Sequence, residues 1–156
     1  MKLLLPALVL LLICSCSGKA DLSTPEKFVD AVILSINNKD TTMFRSLHID
    51  GDDFDQLVKQ PANQYHLPAQ KADYLAEVDR LSASEYAAIT EAISGISTFQ
   101  LNPFEKAEGG SHEFIHRIEF EIQTPDHHQK KIVLHELIFV KDHWKAGGGI
   151  VIEEIY

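Results

Sequence analysis

Cysteine is nearly absent from this 156-residue chain: there are two, Cys14 and Cys16, both within the first 16 positions. A disulfide framework for the folded part is therefore excluded, as is a zinc site built on thiolates. Basic residues are also scarce, 14 against 23 acidic ones, for a formal charge of -9. Binding a phosphate backbone needs clustered Lys and Arg, so no nucleic-acid partner is expected. Long apolar runs are missing. The run at residues 3–13 is too short for a membrane-crossing helix, which needs about 20 residues. No serine sits in a G-x-S-x-G elbow, and Lys145-Ala146-Gly147-Gly148-Gly149 lacks the Lys-Ser/Thr of a phosphate loop. What the chain has is 45% hydrophobic residues, enough for the core of one domain.

The N-terminus has three zones: a positive charge at Lys2, the apolar run, then small and polar residues. These are the dimensions of a secretory leader. The run ends in Ile13-Cys14-Ser15-Cys16, which resembles the lipobox of bacterial lipoprotein precursors. The resemblance implies a signal peptide over residues 1–15, diacylglyceryl modification and acylation (palmitate or a similar chain) of Cys16, and a lipidated tether over 16–23. Cys14 as the anchor would put Ile13 at minus one, where a small side chain belongs. Several acyl chains together give lasting membrane attachment where one is marginal. The expected location is the bacterial cell envelope. Ser17 after the cysteine would favour the outer membrane if the cell is Gram-negative. Losing residues 1–15 removes Lys2 and takes the formal charge to -10. So acidic a domain is repelled by anionic lipid, and the lipid would hold it at the membrane.

The rest of the chain reads as helices first and strands second. Thr24-Pro25-Glu26 starts a helix whose stripe is Phe28, Val29, Val32, Ile33 and Ile36. Asn37-Asn38 ends it. Asp40 caps a second helix holding Met43, Phe44 and Leu47, and Asp52 is expected to cap a third piece through Leu57 and Val58. Pro61 and Pro68 bracket a polar stretch with Tyr65 and His66. Helix is predicted over 69–81, and Ser82 with Glu85 has the spacing of a capping box opening another through Tyr86, Ile89 and Ile93. From Ser97 onward the period changes to two. Phe114, His116, Ile118, Phe120 and Ile122 alternate with polar residues as a half-buried strand, 124–129 is a turn, and 132–140 is a central strand. A further turn at Asp142-His143 leads to Trp144, and three glycines lead to Ile150-Val151-Ile152. Those glycines predict a bulge or bend. The expected class is α+β: N-terminal helices packed on an antiparallel sheet of about four strands.

That order, with TPEKFVDAVILSINNKD and the closing LIFVKDHWKAGGGIVIEE, is similar to the nuclear-transport-factor-two-like superfamily. The resemblance implies one cone-like domain over 24–156, with early helices in the concave face of a curved sheet and a pocket between them. Phe114, His116, Ile118, Phe120 and His135 would then line the pocket. The superfamily hosts enzymes, small-molecule binders and interaction modules alike, so fold alone does not choose among them.

Eight histidines require a test for metal. His112 and His116, four apart in a strand, are about 13 Å apart and cannot share an ion. His127-His128 lies in a turn, where neighbouring side chains diverge. Asp50-Gly51-Asp52-Asp53-Phe54-Asp55 fails as an EF-hand, since positions six and twelve are Asp55 and Pro61. Its acids read as helix capping. No metal and no cofactor are expected. For acid–base chemistry the candidates are His116 and Glu136, and the hairpin register decides which residue meets His116. A loop of 125–128 brings His135 to its face, and one residue more brings Glu136. Two functions stay open. One is a noncatalytic lipid-anchored domain binding a small molecule or a protein. The other is a pocket enzyme of isomerase or dehydratase type using His116 with a carboxylate.

Overall fold

The computed structural model describes residues 20–59, 70–93, 95–103, 107–109 and 112–154. The leader, Cys16, and the stretch with Tyr65 and His66 lie outside the described residues.

The helices start where side chains can satisfy free backbone N–H groups. Thr24 accepts from the Lys27 N–H at 3.3 Å and caps α1 (Pro25–Asn37), with Pro25 in the first turn. Asp40 accepts from the Met43 N–H at 2.8 Å and caps α2 (Thr41–Ser46). For α3 (Gly51–Val58) the cap is Asp50 rather than the expected Asp52. The Asp50 carboxylate takes both the Asp52 and Asp53 N–H groups at 2.9 Å, and Asp53 returns the contact to the Asp50 N–H. The predicted break at Ser82 is absent, and α4 (Lys71–Ala92) runs through it. The Ser82 hydroxyl donates back to the Asp79 carbonyl at 3.2 Å, a bond compatible with continued helix. Glu85, the other half of the supposed capping box, is turned to His48 instead.

Among the described residues, six strands form one antiparallel sheet: β1 (Thr98–Leu101), β2 (Ala107–Gly109), β3 (His112–Gln123), β4 (Gln129–Val140), β5 (His143–Ala146) and β6 (Ile150–Glu154). β3 and β4 make the central hairpin. β1 and β2 pair along the outer side of β3, and β5 and β6 along that of β4. The expected four strands become six because two short edge pieces precede β3 and the three glycines divide the last strand.

The sheet bends at one level, and the residues there explain why simple alternation fails. Buried positions step by two within Ile118, Phe120 and Ile122 but by three from Ile118 back to Ile115. In β4 the same step of three separates Leu134 from Leu137, and Glu136 between them has φ +59°. Along β5 and β6, Ala146 pairs with Leu137 and Ile150 with Leu134, so the glycines insert one extra residue. This is a β-bulge, as the glycine run predicts. A left-handed backbone costs a non-glycine residue about 1–2 kcal/mol, and Glu136 is exposed with no ion pair among the described residues. Glu136→Gly should therefore raise unfolding free energy by about 1 kcal/mol, read as a higher urea midpoint at unchanged slope. A lower midpoint would mean the side chain contributes more than the conformation costs.

Apolar side chains of α1, α2 and α4 cover one face of the bent sheet. Phe28, Val32, Phe44 and Ile89 meet Ile118, Phe120, Leu134, Leu137 and Trp144 there, all within 1% of full burial. Full burial of such a side chain is worth about 1.5–3 kcal/mol. α3 lies on the other face, where Ile49, Phe54 and Leu57 pack on Ile138 and Val140. The chain passes between faces at residues 47–49, along the free edge of β5. Ala146 N–H donates to Leu47 O at 2.9 Å, and Ile49 N–H to Ala146 O at 3.2 Å.

Candidate functional site

The crossing at residues 47–49 creates a polar site on the second face. In β5 the alternation sends Trp144 and Ala146 to the large core. Lys141, His143 and Lys145 point the other way, toward the start of α3. There the reciprocal cap holds the Asp53 carboxylate, which is 1% exposed. Three cation-forming groups gather round it: Lys141 Nζ at 3.4 Å and His143 Nε2 at 3.6 Å from one oxygen, Lys145 Nζ at 3.6 Å from the other. Lys145 is itself only 7% exposed. It also donates to the Ser46 carbonyl at 2.5 Å and approaches the His48 carbonyl at 3.4 Å. Its three N–H directions are thus used by two carbonyls and a carboxylate. That is the geometry of a fixed ammonium, not of a free nucleophile.

Burial lowers the Lys145 ammonium below its ordinary value, against the pull of Asp53 and Asp50. For Asp50, partial burial works upward. The Asp53 N–H and the charges of Lys145 and Lys141 outweigh it and hold the carboxyl below its usual range. The His143 ring is set by its Nδ1, which donates to the Lys141 carbonyl at 2.8 Å. These groups, with Ser46 and Asp52, and with Ala20 and Leu22 on a third side, enclose a cavity of about 350 Å³. Leu22 belongs to the stretch read as tether, but it is buried and its carbonyl accepts the Trp144 N–H at 2.8 Å.

Beside this site lies a buried pair. His48, 3% exposed, presents Nδ1 to the Phe44 carbonyl at 3.2 Å and Nε2 to Glu85 at 3.3 Å. A carbonyl only accepts, so Nδ1 carries a proton. The pair ties α2 to α4. A separate groove of about 410 Å³ between those helices has Thr41, Arg45, Ser82 and Tyr86 on its walls, with an Arg45–Asp79 ion pair across it. Its described residues form no nucleophile–base arrangement.

The residues expected to line a pocket are divided between the core and the surface. The loop is 124–128, because Gln123 pairs with Gln129, and Glu136 consequently falls opposite His116. Both sit at the bend and face solvent. No carboxylate among the described residues lies within 4.0 Å of the His116 imidazole, which packs edge-on against Phe114 at 4.4 Å between ring centres. Ile118 and Phe120 are fully buried in the core, Phe114 leans on the α3 cluster, and His135 is half-buried. The phase change at the bend separates them. Lys141, His143, Lys145, Asp53, His48 and Glu85 were not singled out from sequence as a site. One local signal for part of the set exists: K-x-H-x-K at period two, running from a turn into β5, which puts three cation-forming groups on one side of the chain.

No family model matches this chain, and no curated protein matches it. Among solved structures, the chain is similar to a Streptomyces avermitilis protein of the NTF2-like family, provisionally described as a dehydratase. The identity is 15% and the TM-score 0.41, with 85% of this chain and 99% of that one covered. Likeness at that level transfers neither family nor activity.

Proposed function

We propose that the chain is a noncatalytic binding domain of the nuclear-transport-factor-two-like kind, held by lipid on Cys16 at an extracytoplasmic face of a bacterial envelope. It takes its ligand in the cavity between α3 and β5. The observation that carries the reading is the Ile13-Cys14-Ser15-Cys16 motif placed six residues before Leu22, whose carbonyl is bonded to Trp144. A chain anchored at Cys16 would hold the domain close to the bilayer, with Ala20 and Leu22 on the cavity wall nearest the anchor. The other reading, an isomerase or dehydratase working through His116, needs a carboxylate in reach of that ring. Among the described residues none is.

Mass spectrometry of the mature N-terminus tests the address. The expected result is a chain beginning at Cys16 and carrying diacylglyceryl and acyl groups, with Cys16→Ser abolishing both. An unmodified chain beginning elsewhere would falsify the reading.

A further inference from the structure

We propose that the free edge of β1 pairs with the same edge of a second copy of this chain, antiparallel about a twofold axis at Gln100. The two sheets then run on as one. An exposed strand edge presents unpaired N–H and C=O groups, and folded proteins blunt it with a cover, a charge or a proline. Among the described residues the other edge pieces are blunted. β5 is covered at Ala146 by residues 47–49 and at Trp144 by the Leu22 carbonyl. β2 carries Glu108, and β6 carries Glu153 and Glu154. β1, at the end of the strand order, has none of these devices. Thr98, Phe99, Gln100 and Leu101 are uncharged, and Phe99 is 40% exposed.

The hydrogen-bond phase of β1 selects the register. Asn102 N–H donates to Glu119 O at 3.0 Å, so that pair turns its backbone groups inward between β1 and β3. Bonded and unbonded pairs alternate along an antiparallel ladder, so Gln100 and Thr98 also face β3. Phe99 and Leu101 turn their N–H and C=O outward, where no described residue meets them. The supply of outward donors stops at both ends. Ser97 N–H is given to Gln123 O at 2.8 Å, and Pro103 has no N–H. With the axis at Gln100, Phe99 of one copy exchanges two bonds with Leu101 of the other, and symmetry repeats them. Every outward group of the two residues is then used. A register changed by two would set Leu101 against Ser97, or Phe99 against Pro103, and lose bonds.

Charge argues for a second copy as the occupant. A chain of formal charge -9 repels its own copies, and this edge is where that repulsion is weak. Residues 92–104 contain no Asp, Glu, Lys or Arg. On the row through the axis, the first charge is Glu121, opposite Gln100 in β3. Ladder spacings of about 5.5 and 4.5 Å put the two copies' Glu121 about 15 Å apart. That exceeds the ~8 Å screening length of physiological salt. The strand is also complementary to itself. Phe99 and Leu101 share the face of Phe120 and Ile122, so each copy's ring lies beside the other's leucine. On the opposite face Gln100 meets Gln100, and two primary amides can bond each other. So short a joint buries far less than the ~1,200 Å² of a standard interface. The pairing is therefore reversible and depends on concentration.

Disulfide trapping on the full chain in neutral detergent tests the joint. An unbonded antiparallel pair brings its Cα atoms to about 4.5 Å, within the span of about 4.4–6.8 Å that a disulfide bridges. Gln100→Cys should therefore link two copies under mild oxidation. Mass spectrometry of the linked peptide places the bond at residue 100 and separates it from any link through Cys14 or Cys16. Thr98→Cys should link at least tenfold less, because the two copies' residues 98 would lie about 13 Å apart. Phe99→Pro, added to Gln100→Cys, removes an N–H that the second copy needs and β3 does not. It should lower linkage at least tenfold, with the thermal midpoint within a few degrees of the parent. Phe99→Lys, which sets a charge in the joint, should do the same and serves as the readout if the proline variant does not fold. No link at residue 100, equal links at 98 and 100, or undiminished linkage in a folded Phe99 variant overturns the proposal. A chain without lipid that still links at residue 100 supports the joint and sinks the membrane address alone.

Discussion

Asp53→Ala is expected to remove about 3–5 kcal/mol of stability, the scale of breaking a buried ion pair by deleting one partner. The carboxylate is 1% exposed and serves two structures at once. It completes the cap of α3 through the Asp50 N–H at 3.2 Å, and it is the counter-charge for Lys145. Without it the ammonium keeps the Ser46 and His48 carbonyls but has no carboxylate within 4.0 Å among the described residues, Asp50 acting on it only from farther away. Lys145→Met should cost less, because the acid left behind still has Lys141 and His143 at 3.4 and 3.6 Å. The asymmetry is the useful part of the prediction. Urea unfolding of the two single variants and of Asp53→Leu/Lys145→Met measures it, and the double variant should recover much of the first loss. Equal costs for the two single changes would show that the cluster is not centred on the acid.

The same pair has a pH signature whose sign follows from linkage. The folded Lys145 sits below its ordinary value of 10.5. Between the two values the unfolded chain binds more protons, so this residue adds to stability as pH rises through that window. Below the folded value its contribution is constant and unfavourable. Subtracting the stability curve of Lys145→Met from that of the parent isolates this rise. A flat difference would mean that folding leaves the ammonium as well solvated as in the open chain.

Capping was legible in the sequence because it is local. Thr24, Pro25 and Asp40 act within four residues of themselves, and the structure has helices starting at each expected place. The order of helices then hairpin was legible from the change of period. The phase of the strands at the bend was not. His116 reads as inward by counting from Ile118, yet the inward row steps by three at this level, and that step depends on three strands bulging together. No window along β3 alone contains that information. The Asp53 cluster was hidden for a related reason. Its acid and its lysine lie far apart in the chain, and what joins them is the edge pairing of residues 47–49 with Ala146. The acids of 50–53 were legible as caps, but their second role depends on which strand arrives behind them. Ser82 and Glu85 show the converse error: a local signal was present, and His48 captured one half of it.

Gly148→Ala should be nearly as damaging, at about 3 kcal/mol, through backbone alone. A Cβ at this position would stand 2.6 Å from the His135 carbonyl oxygen and 3.1 Å from its carbon. Neither atom is the free end of a side chain, so the strand itself must move. Two bonds hold the bulge against β4: His135 N–H to Gly149 O at 2.9 Å and Gly147 N–H to Glu136 O at 2.7 Å. Losing both, at about 1 kcal/mol each, with about 1 kcal/mol of angular strain, gives the total. For a domain of this size that is a fall of roughly 6–12 °C in thermal midpoint. The neighbouring glycines are controls. At Gly147 the tightest contact is the end of the Ile138 side chain, and at Gly149 it is the Glu85 carboxylate at 3.0 Å, in both cases side-chain atoms rather than the backbone of the facing strand. Their alanine variants should each lose less than half as much. Gly149→Ala should instead disturb the His48–Glu85 contact, visible as a shift of the His48 ring signals in an NMR spectrum. If all three alanine variants unfold at the same temperature, the close approach at His135 is not what requires glycine, and the bend must be held by something other than this bulge.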